Sequence, residues 1–425
     1  MAKNNINILD MVQDIMDKTK TEVDNMAPVN ILVAGKTGVG KSTLINSLFR
    51  ENLASTGVGK PVTAHLTKIS KEGIPINLYD TRGLELDAKV QKEVMSDIEK
   101  LYKENENTND ALHVAYYCIN GNSNRIEDLE IDLIKRTSER IPVIIVLTQS
   151  IGEPAEEFKA YLEEMDLPIE AIINVMADSY KISEDVVIEE YGLKELIAKT
   201  LDVIPEEAER AFNNAQHADI IRKAQSAKVW AKRYTKTAFG IGFSPVPMSD
   251  AALLVPMQVT LIAHITAIFG ISLDKSTIVS LVAGLLGTTG ATTAGRAIVS
   301  NIVKLIPGLG TVAGGFISGG TAAALTSALA ISYIEILTRL SMAEKDGKAP
   351  DLSNIEELMK EKFSEALKNR KNVEDVEEVE KITDEEFKEI EENVEKNDKI
   401  ETEVHSKVVK ANWLDRAKGF INKKR

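Results

Sequence analysis

"NILVAGKTGVGKST", Asn30 to Thr43, decides the reading of this chain. A short apolar run gives way to Gly35, Gly38 and Gly40, and Lys41, Ser42 and Thr43 then open a helical pattern. Glycine, four residues, then Gly-Lys-Ser is the spacing of a phosphate-binding P-loop, and a strand before it with a helix after it is the context that motif requires. The glycines let the backbone curl so that successive N–H groups face the phosphates. Lys41 places its ammonium on the β and γ groups, and Ser42 offers a magnesium ligand. The helix that starts at Lys41 adds its positive dipole end. The expected nucleotide-binding stretch is therefore Gly35, Lys36, Thr37, Gly38, Val39, Gly40, Lys41, Ser42 and Thr43.

A second element lies downstream. "INLYDTRGLE" ends a hydrophobic strand with Asp80 and then Gly83, the places where such a site holds magnesium through a water and senses the γ-phosphate through a glycine N–H. Between the two lies the glycine-bearing stretch "STGVGKPVTAHLTKIS", where a threonine is expected to bind magnesium and order with the γ-phosphate. Thr63 is the first candidate and Thr56 the second. The expected metal ligands are Ser42, Thr63 and Asp80, and Lys41, Thr63 and Gly83 form the expected catalytic set.

Working outward, "VNILVAG", "INLYD", "LHVAYYCI", "PVIIVLT" and "AIINVMA" alternate with charged helical segments as far as about Val203. That alternation predicts an α/β domain with a mainly parallel sheet. "KISKEGIPINLYD" reads as a hairpin turned at Lys71 to Gly73, which makes one edge antiparallel.

The P-loop, the threonine-bearing segment, "DTRG" and "VIIVLT" together resemble the Era-like and dynamin-like side of the translation-factor GTPases, over residues 28–203. The resemblance implies a Ras-like sheet with helices on both faces, GTP as ligand and substrate, and Mg2+ as cofactor. "AYYCINGNSNRIEDLE" and "TGVGKPVT" are similar to bacterial GTPases joined to a hydrophobic helical domain, distant relatives of immunity-related GTPases.

Two positions depart from that pattern. Guanine is ordinarily read by Asn/Thr-Lys-x-Asp after the fifth strand, whereas this strand ends "VLTQSIGEP". Thr148 fits, Gln149 replaces the lysine, and Ile151 stands where the carboxylate belongs. The base is then read by another group, with Gln149 and the backbone around Ala177 as candidates, or base selectivity is weak and ATP competes. Leu84 follows Gly83 where a water-orienting glutamine is usual. Glu85 is more simply a solvent-facing residue, and Arg82 or Arg125 supplied across a dimer is the remaining source of charge.

The second half has another composition. Residues 204–236 read as a helical linker that becomes basic toward its end, with Arg222, Lys223, Lys228, Lys232, Arg233 and Lys236. Thr237 to Thr338 then holds only Asp250, Asp274, Lys275, Arg296, Lys304 and Glu335 as charged residues. Segments 252–273, 276–295 and 305–334 each run about twenty residues or more without a charge, the length at which a membrane helix becomes a candidate. Ten glycines fall from Gly284 to Gly320, with spacings such as Gly310 to Gly314, Gly315 to Gly319 and Gly287 to Ala291 that suit closely pressed helices in lipid or in a soluble bundle. "FSPVPMSDAALLVP" resembles the start of the uncharacterised helical domain that follows such bacterial GTPases, which implies membrane association without a settled activity. A buried bundle and insertion into a bilayer both remain open. His264 reads as a hydrogen-bonded packing residue.

The expected organisation is an amphipathic helix over 1–27, a G domain over 28–203, a basic linker over 204–236, a Gly/Ala-rich helical domain over 237–342, an acidic tail over 343–405 and a basic amphipathic segment over 406–425. The chain carries 51 basic and 65 acidic residues, a net of −14. Asn372 to Val404 alone contributes −11, from fifteen carboxylates and four lysines, and reads as a helical or disordered solvated arm. The remainder is nearly balanced, so nucleic-acid binding by bulk charge is not expected. Cys118 is the one cysteine and the N-terminus is unlike a secretory signal, which points to the cytoplasm with association to a membrane. The expected partners are a guanine nucleotide, an anionic membrane surface and a second copy of the chain. The expected activity is slow GTP hydrolysis that switches membrane association or self-association of the helical domain. The alternative is a nucleotide-gated membrane bundle or pore with negligible hydrolysis. An RNA-assembly role would require a basic module that the sequence lacks.

Overall fold

Strand β1 (Val29–Ala34) is buried at every position. Its odd residues Ile31 and Val33 enter one core cluster and its even residues Leu32 and Ala34 another, as the two-residue period of a strand covered on both faces demands. The computed structural model describes residues 8–50, 53–82, 88–106, 108–183, 186–241, 249–286, 319–345, 352–370 and 375–394. The chain divides into two compact units, residues 26–219 and, from the described residues, 8–25 with 220–394.

Helix α1 (Ile8–Asp24) belongs to the second unit; in the first the order is β1, α2 (Lys41–Leu48), α3 (Leu53–Thr56), β2 (Val58–Pro61), β3 (Leu66–Lys71), β4 (Ile74–Thr81) and α4 (Ala88–Asn105). Then come β5 (Val114–Asn120), α5 (Asp128–Ser138), β6 (Val143–Thr148), α6 (Gly152–Glu164), β7 (Ala171–Val175), the hairpin β8 (Tyr180–Ser183) and β9 (Val186–Ile188), α7 (Leu193–Val203) and α8 (Glu206–Ala215). The sheet order is β2-β3-β4-β1-β5-β6-β7. Strands β4, β1, β5, β6 and β7 run parallel, while β2 and β3 are antiparallel additions at one edge. The expected hairpin is present: Gly73, at φ 77°, supplies the left-handed residue between β3 and β4. One face of the sheet is covered by residues of α2, α7 and α8, the other by residues of α4, α5 and α6. Every parallel strand thus delivers its C-terminal end to the same rim, which is where α/β sheets bind ligands.

The unit ends at Asp219, beyond the expected end at 203. Helix α8 carries the difference. Its Ala208, Ala211, Phe212 and Ala215 are buried in the sheet-side core, with Phe212 edge-on to Phe49 at 5.9 Å. The segment expected to be one linker over 204–236 is therefore split between two cores.

The second unit is helical. Helix α1 (Ile8–Asp24) precedes β1 in the chain yet buries Met11, Val12 and Ile15 in the core of this unit, with α9 (Ile220–Ile241), α10 (Ser249–Phe269), α11 (Lys275–Leu286), α12 (Gly319–Lys345), α13 (Ile355–Lys368) and α14 (376–394). This is the partner surface that the amphipathic pattern of the N-terminus required. Along α9 the buried positions Ala224, Ala227, Ala231, Thr235 and Ala238 follow three- and four-residue steps. Small side chains on that stripe let α9 and α12 approach closely. His264 packs as expected: its Nδ1 lies 2.8 Å from the Tyr234 hydroxyl and its Nε2 2.7 Å from Glu22 Oε1.

The acidic tract departs from expectation over 376–394. It is a docked helix there, with Val379, Thr383, Phe387 and Ile390 buried. The basic end of α9 meets its acidic face: Lys232 and Lys228 reach Asp384 at 2.7 and 3.4 Å, and Lys236 reaches Glu380 at 3.2 Å. Lys228 Nζ also stands 4.3 Å from the centre of the Phe387 ring. Three of the six basic residues of that linker, Lys228, Lys232 and Lys236, are thus balanced by carboxylates some 150 residues away in sequence. The spacings Gly287 to Ala291, Gly310 to Gly314 and Gly315 to Gly319 have members outside the described residues, and the basic segment 406–425 lies wholly outside them.

Candidate functional site

The P-loop leaves the C-terminal end of β1 with Gly35 at φ 141°, Gly38 at φ 81° and Gly40 at φ 100°, all in the region that disfavours side chains. Gly35 is also sterically fixed, because a Cβ there would stand 2.3 Å from the Cys118 carbonyl oxygen on β5. Gly40 occupies the N-cap position of α2, so Lys41 begins the helix whose free N–H groups face the loop. Lys41 Nζ donates to the carbonyls of Gly35 at 2.6 Å and Lys36 at 3.0 Å, which folds its ammonium across the loop.

Asp80, the penultimate residue of β4, lies opposite Val33 of β1. Its Oδ1 is buried and has no hydrogen-bond partner. Burial raises the carboxyl above its ordinary value, opposed by the charges of Lys41 and Arg82. A buried carboxylate oxygen without a protein partner costs free energy unless a ligand engages it. Cys118 lies in the same field: burial pushes its thiol up to about 12, with Lys41 pulling down and Asp80 pushing up. It is a neutral wall of the site and carries no nucleophilic chemistry.

The side chain of Lys36 is engaged outside the loop. Its Nζ lies 2.7 Å from Glu127 and 3.1 Å from Glu130 at the start of α5. Burial alone would lower its pKa, but hydrogen bonds and charge from those two carboxylates carry it above the ordinary value. Its contribution at the loop is its backbone. Thr63 lies in the turn between β2 and β3, where its hydroxyl accepts from the N–H groups of His65 at 3.2 Å and Leu66 at 3.0 Å. Ser42 and Thr43 are exposed on the first turn of α2 and Thr37 is exposed on the loop. Gly83, Leu84 and Glu85 lie outside the described residues, and so does the side chain of Thr56.

At the base end, Thr148 is buried and its hydroxyl donates to the Val39 carbonyl, with the Ile119 carbonyl 3.1 Å away. It stitches the P-loop to β5 and β6. Gln149 takes φ 52°; its Nε2 lies 3.4 Å from the Gly38 carbonyl and its Oε1 accepts from Asn120 at 3.1 Å. Asn122 holds the same loop from the other side, donating to the Gln149 carbonyl at 2.7 Å and accepting from the Ile151 N–H at 3.3 Å. Asn120 and Asn122 were not singled out from sequence. Their signal was the "NGNSN" run that starts at the last residue of β5, since asparagine and glycine favour loops with backbone-directed hydrogen bonds. Ala177 is buried just past β7. Among the described residues there is no group of three or more His, Cys, Asp or Glu side chains placed to hold a metal, so a cation here would rely on Asp80, hydroxyls and phosphate oxygens.

The comparisons with known proteins fall on the same two regions. Residues 30–149 match the family described as 50S ribosome-binding GTPase, and residues 207–366 match Domain of unknown function (DUF697). GTPase Der of Dinoroseobacter shibae is 33% identical over 84 residues, 19% of this chain and 17% of that protein. Translocase of chloroplast 108 of Physcomitrium patens is 38% identical over 78 residues, 17% of this chain and 8% of that protein. Cell division control protein 10 of Saccharomyces cerevisiae is 27% identical over 149 residues, 28% and 46% of the two chains. The chain thus spans less than half the length of each of these relatives. Among solved structures, a probable GTP-binding protein engB aligns with TM-score 0.30 and 19% identity over 41% of this chain and 98% of that one. Toc33 from Arabidopsis thaliana in complex with Mg2+ and GMPPNP aligns with TM-score 0.28 and 18% identity over 48% and 94%. The glycine cradle, the folded-over Lys41 and the matched sequence agree on one assignment: the chain carries a P-loop GTPase domain, followed by a helical domain of the DUF697 family.

Proposed function

We propose that the protein is a magnesium-dependent GTP switch with slow turnover, whose nucleotide state governs how the helical unit engages an anionic membrane or a second copy of the chain. The observation that carries the nucleotide part is the buried, unpartnered Asp80 Oδ1 in the field of Lys41 beside a glycine cradle. These residues fit Mg2+ with a triphosphate: Ser42 and Asp80 would hold the ion, which neutralises charge on the β and γ oxygens when bound. Lys41 exchanges the Gly35 and Lys36 carbonyls for phosphate oxygens, and the curled backbone directs N–H groups at them. Thr63 joins the metal only if its turn opens, which gives the β2–β3 turn a reason to respond to the γ-phosphate. With Leu84 after Gly83, the water is left without the usual glutamine, and Arg82 or Arg125 of a second copy is the proposed aid.

Helix α12 supports the membrane output. It runs 27 residues and is long and apolar enough to cross a bilayer, though 89% of its most apolar stretch is buried in the helical unit. Lipid contact through it requires that unit to rearrange. The same helix supports the second reading, a nucleotide-gated bundle with negligible turnover. A cytoplasmic location with reversible membrane association belongs to the first reading.

The test pairs flotation on phosphatidylserine-containing liposomes with phosphate release, under GTP and GDP and over a range of protein concentrations. GTP-dependent flotation, with turnover per molecule rising with concentration, is the expected result. Flotation identical in both nucleotides would remove the switch, and flat turnover would remove self-activation.

A further inference from the structure

Ile151 presents no acceptor to a base, and Gln149 does not fill the gap. Both ends of its amide are engaged, Nε2 with the Gly38 carbonyl and Oε1 with Asn120 Nδ2, while Asn122 fixes its backbone. A side chain so held is a platform beside the P-loop, and a base would have to share its polar atoms with the Gly38 carbonyl and Asn120.

We propose that Asp178 is the carboxylate that reads the guanine edge. This inference rests on the guanine-nucleotide reading of the domain. Strands β6 and β7 run parallel with Thr148 opposite Val175, so the chain leaves both at the same rim. The two exits are tied together: the Ser150 N–H donates to the Val175 carbonyl at 3.3 Å, and the Tyr191 hydroxyl donates to the Ser150 carbonyl at 3.1 Å. Tyr191 also exchanges two backbone hydrogen bonds with Met176, at 3.1 and 3.0 Å, which fixes the chain immediately before Ala177 and Asp178. Asp178 is exposed on this rim. Two carboxylates at the start of α6 are placed differently. Glu156 accepts from Asn174 Nδ2 at 2.8 Å, and Glu153 lies in the first turn of α6, where a carboxylate is favoured by the helix dipole.

The chemistry makes the assignment testable. Guanine offers its N1–H and 2-amino group to a single carboxylate, and adenine offers neither. Xanthine keeps the N1–H but carries a carbonyl at position 2, which matches an amide in place of the acid. Asp178→Asn therefore exchanges one base preference for another instead of merely weakening binding.

The experiment measures equilibrium binding of fluorescent GTP, XTP and ATP analogues with Mg2+ to the full chain, to D178N and to E153Q, with circular dichroism to confirm folding. In the unaltered chain GTP is expected to bind more tightly than XTP and ATP. In D178N, GTP affinity falls roughly 10- to 100-fold, the loss expected for hydrogen bonds to a charged group, and XTP binds at least as well as GTP. E153Q keeps the original order. An unchanged GTP to XTP ratio in D178N overturns the assignment while leaving the domain a GTP binder, and so does a shift seen in E153Q instead. Equal affinity of the unaltered chain for GTP and ATP also overturns it, by showing that no group reads the base. Failure of the unaltered chain to bind any triphosphate removes the functional reading as well.

Discussion

Two charged side chains with buried polar atoms, one in each unit, are treated in opposite ways. In the GTPase domain Asp80 has an oxygen with no hydrogen-bond partner, and its carboxyl is raised by burial. In the helical unit the Arg370 side chain is wholly buried, yet it is satisfied: Glu386 at 2.6 and 2.9 Å, Thr383 and Ser327 at 3.0 and 3.2 Å, and the Ala366 carbonyl at 2.6 Å. A buried polar atom without a partner costs about 1–3 kcal/mol. Beside a P-loop, a bound ligand can complete such a group. A fully paired charge instead ties segments together, here α13, α14 and α12, and selects one packing over its alternatives.

The contrast can be broken most directly at Arg370. Arg370→Ala leaves Glu386 without its counter-charge in a nearly closed site, and the expected cost is about 3–5 kcal/mol. Trp230, which packs against the helical core, reports it as a lowered urea midpoint. Arg370→Met combined with Glu386→Leu should recover most of that loss. If the single variant unfolds at the same urea concentration as the unaltered chain, the network is not structural.

Lys41→Ala sharpens the other side. Removing a charge that contacts only backbone carbonyls in this conformation should leave the Trp230 transition where it was. GTP affinity should drop about 100-fold, as expected when a charge-assisted phosphate contact is lost. A shifted unfolding midpoint with intact GTP binding would reverse the roles assigned to the two regions.

The smallest effect is expected at the α9–α14 contact. Burial pushes the Asp384 carboxyl upward, but the hydrogen bond and charge of Lys232, together with Lys228, hold it below its ordinary value. A depressed acid contributes stability that is fully present above the unfolded pKa and is lost as pH falls through the lower folded value. Asp384 is 41% exposed, so Asp384→Asn should cost under about 1 kcal/mol at neutral pH. The difference from the unaltered chain should shrink in high salt and disappear in acid below the ordinary aspartate range. A difference that persists under both conditions would place the contribution of Asp384 in packing.

Much of the GTPase domain was legible because its signals are local. The positive φ angles at Gly35, Gly38 and Gly40, the two-residue alternation in β1 and the turn at Gly73 each depend on residues a few positions apart. Thr63 shows where that legibility stops, since a hydroxyl suited to metal is engaged in its own turn until something competes for it. The grip of Asn120 and Asn122 on Gln149 joins residues 27 to 29 positions apart, and no spacing rule announces it.

By itself the sequence determined the phosphate cradle, the parallel sheet with its antiparallel edge and the apolar character of the second half, because backbone conformation and hydrophobic period are written in neighbouring residues. Tertiary structure alone decided that the first helix belongs with the last ones, that α8 belongs with the sheet, and that an acidic helix neutralises much of the basic end of α9. Those outcomes turn on which of several apolar or charged faces is buried against which, a choice made by packing and charge pairing between segments far apart in the chain.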